Sequence, residues 1–345
     1  MRPSFLAASL LSLALLPTTL RAPVFAQEAP SPDAPPPATD APPPPPDENT
    51  AATLNINVNL VNIYFSARDK DHFVTNLVKS DCVVAEDKVP QTVKNFTQEK
   101  NLPLTIGILL DTSGSQQNVL PLEKESTATF LRDVLTPKDE AFLISFDINV
   151  DLLADYTNRA SEISRALNKA SINTGATYGS VTGNDPPRGT LLFDAVYLAA
   201  HDKLSMESGR KVLILMTDGG DQGSRETLKT ATEAAQKSNA IIYVILIADR
   251  QFYSSQGVIY SGDSDMQRLA SDTGGRVINV GNNGKRLEDA LNQIQDELRT
   301  QYLLSYTPTN NKADGTFRKV YLNCGKLNIQ TRNGYYAISA NDEGN

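Results

Sequence analysis

Asp111, Ser113 and Ser115 stand at alternate positions in the run Leu109-Leu110-Asp111-Thr112-Ser113-Gly114-Ser115. They follow an apolar segment, Leu104 to Leu110, that is short, rich in β-branched residues and nearly continuous in hydrophobicity. This is the pattern of a strand buried on both faces. Hard oxygen donors crowded onto a strand-to-helix turn suit a small divalent cation such as Mg2+. Two later runs offer similar donors. Thr190 lies in Arg188-Gly189-Thr190-Leu191, and Asp218 ends a second buried segment in Leu213-Ile214-Leu215-Met216-Thr217-Asp218-Gly219-Gly220. A plainer reading exists, in which Asp111 caps a helix and the serines bond only to backbone.

The elements that must position these residues alternate from Leu104 onward. Hydrophobic patterning predicts strands over 104–110, 140–146, 150–156, 211–217, 240–248 and 276–280. It predicts helices over 121–135, 159–170, 191–205, 224–238, 264–272 and 285–299. Pro121 suits a first helical turn, and Leu287, Leu291, Ile294 and Leu298 give the last helix one apolar stripe. Such alternation implies an α/β fold, a Rossmann-like, doubly wound, mostly parallel sheet with helices on both faces. Ligands of open parallel sheets bind beyond the carboxyl ends of the strands, where strand order reverses. In the order 3-2-1-4-5-6 the strands ending at Asp111 and Asp218 are neighbours at that point. Their two like charges repel, and a divalent cation removes the cost.

The flanks read differently. Leu54, Ile56, Val58 and Leu60 alternate with asparagines, and Val61, Ile63 and Phe65 continue one residue out of step, which predicts a bulge or break near Leu60–Val61. Asp69-Lys70-Asp71, with His72 beside it, reads as a turn, and no helical period occurs before residue 100. After Thr300, Tyr302, Leu304 and Tyr306 alternate, and Phe317 to Cys324 reads as another strand. The economical inference is a small β-domain built from residues 51–100 plus 301–339, with the α/β domain of 101–300 inserted in it. Cys82 shares a strand face with Val84, and Cys324 shares one with Val320 and Leu322, so both should point inward. They are either a disulfide pair stapling the two flanks or two buried free thiols.

Arg2, the apolar run Phe5 to Leu16 and the A-x-A-like Val24-Phe25-Ala26 make residues 1–26 a signal peptide. The run is too short to span a bilayer comfortably, which predicts a soluble exported protein, periplasmic or extracellular. Residues 27–50 hold ten of the 20 prolines and five acidic residues with no basic one, the composition of a solvated linker. The net charge is −8, and loss of Arg2 and Arg21 makes it more negative still. Such a balance argues against nucleic acid or an anionic membrane as partner.

The order D-x-S-x-S, then Gly189-Thr190-Leu191-Leu192-Phe193-Asp194-Ala195, then Thr217-Asp218-Gly219, resembles the metal-ion-dependent adhesion site of the von Willebrand factor type A (VWA) family. Over residues 54–337 the chain resembles one branch of it, the secreted acidobacterial VWFA-related proteins. The resemblance implies that Asp111, Ser113, Ser115, Thr190 and Asp218 share one Mg2+, with Mn2+ or Ca2+ as substitutes. It also implies an open coordination position that an Asp or Glu carboxylate of a protein partner fills. In the family the two cysteine positions are usually plain apolar residues. Tyr178, in the loop 171–189, and Phe252, Tyr253 and Tyr260, in the loop 249–263, are candidates for a partner-binding rim, since exposed aromatics on loops favour binding; the other reading folds them back onto their own loops. Asp194 reads as structural, and Asp221 has no assigned role.

Catalysis is not expected. Asp111-Thr112-Ser113-Gly114 is only faintly like the D-T-G of the all-β aspartic proteases. A metal-dependent hydrolase would need a base or nucleophile, yet Ser113 has no evident base, and His72 and His201 read as surface residues. A metal-free envelope scaffold is the main alternative to adhesion. The sequence does not fix the oligomeric state.

Overall fold

A computed structural model describes residues 60–70, 72–99, 102–172, 189–248 and 262–338. Tyr178, Phe252, Tyr253, Tyr260, the signal peptide, the linker and the alternation up to Asn59 lie outside the described residues. Five strands come first: β1 Val61–Asp69, β2 His72–Phe73, β3 Val83–Glu86, β4 Val89–Gln91 and β5 Val93–Gln98. The alternating stretch follows with β6 Leu104–Asp111, α1 Leu120–Val134, β7 Glu140–Phe146, β8 Val150–Thr157, α2 Ala160–Lys169 and α3 Leu192–Leu198. It continues with β9 Arg210–Thr217, α4 Leu228–Lys237, β10 Ala240–Leu246, α5 Asp263–Thr273, β11 Val277–Asn279 and α6 Gly284–Thr300. Four strands close the chain: β12 Tyr302–Tyr306, β13 Phe317–Asn323, β14 Asn328–Thr331 and β15 Gly334–Tyr336.

β6, β9 and β10 are buried along their whole lengths, as strands covered on both faces must be. They are the centre of a six-stranded sheet ordered β11-β10-β9-β6-β7-β8. All its pairings are parallel except β7 with β8. Numbered from β6, this is the order 3-2-1-4-5-6, with the reversal between β6 and β9. Ile106, Ile108 and Leu110 face a core that takes in Leu131 of α1, Ile163 of α2 and Ile294 of α6. Leu109, Phe142 and Leu215 face a second core with Val196 of α3, Ala235 of α4 and Leu269 of α5. A Cβ at Gly107 would come within 2.3 Å of Phe142 Cζ, so the glycine makes room for the Phe142 ring.

Two helices depart from the expected bounds. The one expected over 191–205 is α-helical only to Leu198 and continues as a π-turn over 199–203, with Leu204 N donating to Ala199 O. The one expected from residue 224 begins at Leu228, because Thr227 caps it: Thr230 N donates to Thr227 Oγ1 at 3.2 Å, and Thr227 N donates to Thr230 Oγ1 at 2.8 Å.

Strands from before residue 100 pair with strands from after 300. One sheet runs β14-β1-β12-β5 with β2 on β1, and another runs β15-β13-β3-β4. Val61, Ile63, Phe65 and Ala67 of β1 are buried and share a core with Val84, Leu304, Tyr306 and Leu322. Cys82 and Cys324 belong to the same core and are joined, with the sulfurs 2.07 Å apart. His72, expected in a turn, lies in β2 and pairs with Asp69 at the end of β1.

Glu297 of α6, itself buried, ties the flanking strands to the α/β layers. It accepts from Ser66 Oγ of β1 at 3.0 Å, Tyr243 OH of β10 at 2.9 Å and Arg276 Nε at 3.0 Å. Ile56–Asn345 accordingly form one compact unit.

Candidate metal centre

Asp111 is the last residue of β6 and has no exposed surface. Its Oδ1 accepts from Ser113 N at 3.0 Å, and its Oδ2 accepts from Thr217 Oγ1, at the end of β9, at 2.7 Å. The side chain is thereby held across the β6–β9 reversal. Asp218 follows at once, 2% exposed, with Oδ1 accepting from Gly220 N at 3.1 Å. Gly219 permits this turn: its φ is +87°, and a Cβ there would lie 3.1 Å from Gly262 O.

Ser113 begins the 3-10 turn Gly114–Gln116 through its carbonyl, which accepts from Gln116 N at 3.0 Å, while its hydroxyl makes no capping bond. That hydroxyl lies 3.1 Å from Ser115 Oγ. The plainer reading is therefore met only in part: Asp111 accepts one backbone N–H, but the Ser113 and Ser115 hydroxyls face each other. Thr112 anchors the turn to the end of β7, donating from N to Phe146 O at 2.9 Å and from Oγ1 to Asp147 Oδ2 at 2.9 Å.

Thr190 reaches the same end of the sheet through its backbone. It forms a two-bond bridge with Gln222, four residues after Asp218, and Leu191 N donates to Asp147 O at 2.7 Å. Asp194 and Asp221 secure this segment. Asp194 Oδ1 accepts from Glu226 N at 2.8 Å, and Asp221 Oδ1 accepts from Phe193 N at 3.2 Å, close to the start of α3.

Burial pushes the Asp111 carboxyl up from 3.8 to about 7, and the neighbouring Asp218 adds to this; hydrogen bonds from Ser113 and Thr217 oppose it only partly. A third acid stands behind the pair. Glu123 of α1 has no exposed surface, and among the described residues neither of its carboxylate oxygens has a hydrogen-bond partner. Burial first, then Asp111 and Asp218, hold it well above the usual carboxylate range.

Sequence reasoning missed Glu123. Its signal was an acid inside a buried helical stripe, Leu120, Glu123, Thr127, Leu131 and Val134. Among the described residues no three His, Cys, Asp or Glu side chains are close enough to bind one ion together. Two carboxylates with flanking hydroxyls are grouped here, hard oxygens of the kind that suit Mg2+ or Mn2+.

No family model and no curated protein matches the chain in sequence. Among solved structures it is similar to the BatB protein of Bacteroides thetaiotaomicron, at 18% identity over 57% of this chain and 99% of that one, with a TM-score of 0.44. It is similar to proximal thread matrix protein 1 of the mussel byssus at 16% identity and TM-score 0.44, covering 60% of this chain but only 48% of that one. The mussel protein is also known with zinc in its MIDAS motif. The SpRpn10 VWA domain matches at 14% identity and TM-score 0.39, over 56% of this chain and 95% of its own. These likenesses are loose, and no functional residue is carried over from them.

Proposed function

We propose that this chain binds a protein partner through a divalent cation held at the carboxyl ends of β6 and β9. The observation that carries the reading is the placement of Asp111 and Asp218, two buried carboxylates at the ends of adjacent strands at the reversal of a parallel sheet. A dication would neutralise this pair. Ser113, Ser115 and Thr190 complete the proposed ligand set, and Mg2+, which keeps water in its shell, would leave a position for a partner's Asp or Glu. Tyr178, Phe252, Tyr253 and Tyr260 are proposed as the rim that selects the partner. In this reading the chain is a VWA protein of the secreted VWFA-related kind, with its VWA domain over 101–300 inserted in a β-domain of 51–100 plus 301–339.

Binding is favoured over hydrolysis by the side chains available. Of the chain's two histidines, His72 is on β2, and His201 stacks on Tyr197 with ring centroids 5.0 Å apart. Neither belongs to the cluster around Asp111, so no imidazole base is at hand there. Export is proposed from the N-terminal segment together with the Cys82–Cys324 bond, which an oxidising compartment would maintain. Among the described residues no helix is long and apolar enough to cross a membrane.

The test is thermal unfolding of the full chain in EDTA and in millimolar Mg2+ or Mn2+, beside Asp111→Ala. At about 100 times its dissociation constant the ion should add about 2.7 kcal/mol, and Asp111→Ala should abolish the gain. An unchanged melting temperature in the wild type would move the function to a metal-free scaffold.

A further inference from the structure

The buried carboxyl of Glu123 is not accounted for by the two-aspartate site. Its place follows from α1. Thr127 Oγ1 donates to Met216 Sδ at 3.3 Å, so this face of the helix packs on β9 just before Thr217 and Asp218. Glu123 lies one turn nearer the helix N-terminus and projects from the same face, which sets it over the strand ends where Asp111 and Asp218 meet. Gln116, 1% exposed, lies at the same end of the sheet: its Nε2 approaches Ile247 O at 3.5 Å, and its Oε1 has no partner. Among the described residues three buried acceptor oxygens, two on Glu123 and one on Gln116, thus stand unsatisfied at this end of the sheet.

An unpaired buried acceptor is costly, and a packing role would have been served by leucine or methionine. Among the described residues no three acids form a group that could hold one ion together, so Glu123 is placed outside the direct ligands. A cation on Asp111 and Asp218 would carry water, and water bound to a cation is a strong donor that these acceptors lack.

We propose that Glu123 is a further member of the cation site, accepting from metal-bound water and, in the ion-bound site, adding a third negative charge to those of Asp111 and Asp218. This rests on the reading of Asp111 and Asp218 as cation ligands. A third charge acts in proportion to the charge of the ion, so it would favour a trivalent ion over a divalent one. A residue that only shaped the pocket would affect both ions alike.

The experiment is calorimetric titration of the full chain with Mg2+ and with Tb3+, for wild type, Asp111→Ala, Glu123→Gln and Glu123→Met. Gln preserves shape, and Met keeps the length while removing the orphaned oxygens, so both variants should fold. Loss of an outer carboxylate should weaken Mg2+ by about tenfold. By the ratio of charges the loss for Tb3+ should then be roughly thirtyfold. Equal losses for the two ions, or no loss in either variant, would overturn the role of Glu123 while leaving the aspartate site standing, provided that Asp111→Ala abolishes binding. A wild type that binds neither ion, or an Asp111→Ala protein that still binds, would overturn both readings.

Discussion

Replacing Asp111 by Asn should stabilise the metal-free protein at neutral pH, although it alters a buried, hydrogen-bonded side chain. In the folded protein the Asp111 carboxyl titrates near 7 rather than at 3.8. Because that value is raised, the folded chain holds a proton that the unfolded chain has already lost between about pH 4 and pH 7. Stability therefore falls as pH rises through this window, and the full cost is present above it. The rise from 3.8 to about 7 makes that cost about 4 kcal/mol. Asn avoids it but cannot accept both of the bonds from Ser113 N and Thr217 Oγ1, a loss of about 1–2 kcal/mol. Net, Asp111→Asn should be more stable than wild type by about 2 kcal/mol at pH 7.5 in EDTA; at pH 4.5, where about 1 kcal/mol of the cost is already present, it should be less stable by no more than about 1 kcal/mol. Urea unfolding at the two pH values reads the difference between the proteins, so that other titrating groups cancel. Millimolar Mg2+ should then reverse the order at pH 7.5, because only the wild type would gain from it. A variant less stable than wild type by the same amount at both pH values would show that the charge at Asp111 is not opposed by its surroundings, and the electrostatic case for a cation would fall with it.

Glu297→Ala should cost about 3 kcal/mol, the low end for a broken buried pair because Arg276 and Arg68 are about 20% exposed at their side chains; the urea midpoint checks this, and Glu297→Gln, which can still accept from Ser66 or Tyr243, should lose less. Replacing Cys82 and Cys324 by Ala removes a cross-link between residues 242 apart, which the chain-entropy account values at about 5 kcal/mol as an upper figure. In both variants the Mg2+-induced rise in melting temperature should persist, since neither site touches Asp111. Loss of that rise would mean that the flanking strands take part in holding the ion.

What could be read from the sequence follows from how each element is buried. β6, β9 and β10 are covered on both faces, so their burial requires unbroken apolar runs, and such runs are visible without an alignment. The stripe Leu287, Leu291, Ile294 and Leu298 marks α6 for the same reason. The start of α4 was misplaced by four residues because Asp221, Ser224 and Glu226 are spent on the turn toward α3, which is a tertiary use that local pattern does not register. Asp111 and Asp218 were legible because each ends an apolar run. Glu123 was not, because an acid inside a helix is read by default as solvent-facing, and only the packing of Thr127 on Met216 shows which way that face points.

The chain's other buried acids show how it neutralises a carboxylate when structure alone is at stake. Glu86 accepts from Tyr306 OH at 2.9 Å and Tyr335 OH at 2.8 Å, with Arg318 beside it. Glu297 has two arginines, a tyrosine and a serine. Asp139 is satisfied by Leu104 N, Thr136 N and Thr136 Oγ1. At Asp111 and Glu123 the pattern is broken. Among the described residues no basic side chain acts on either, the neighbouring charges are of the same sign, and Glu123 has no donor. Failure to find a solution is not the reason, since arginine and tyrosine serve elsewhere in this fold. Burying like charges together costs stability, and the cost is concentrated at the one end of the sheet where strand order reverses and ligands of such folds bind. A cation would supply the positive charge that no described side chain supplies there, which is why occupancy of the site, rather than any residue within it, is the quantity expected to set both its stability and its binding.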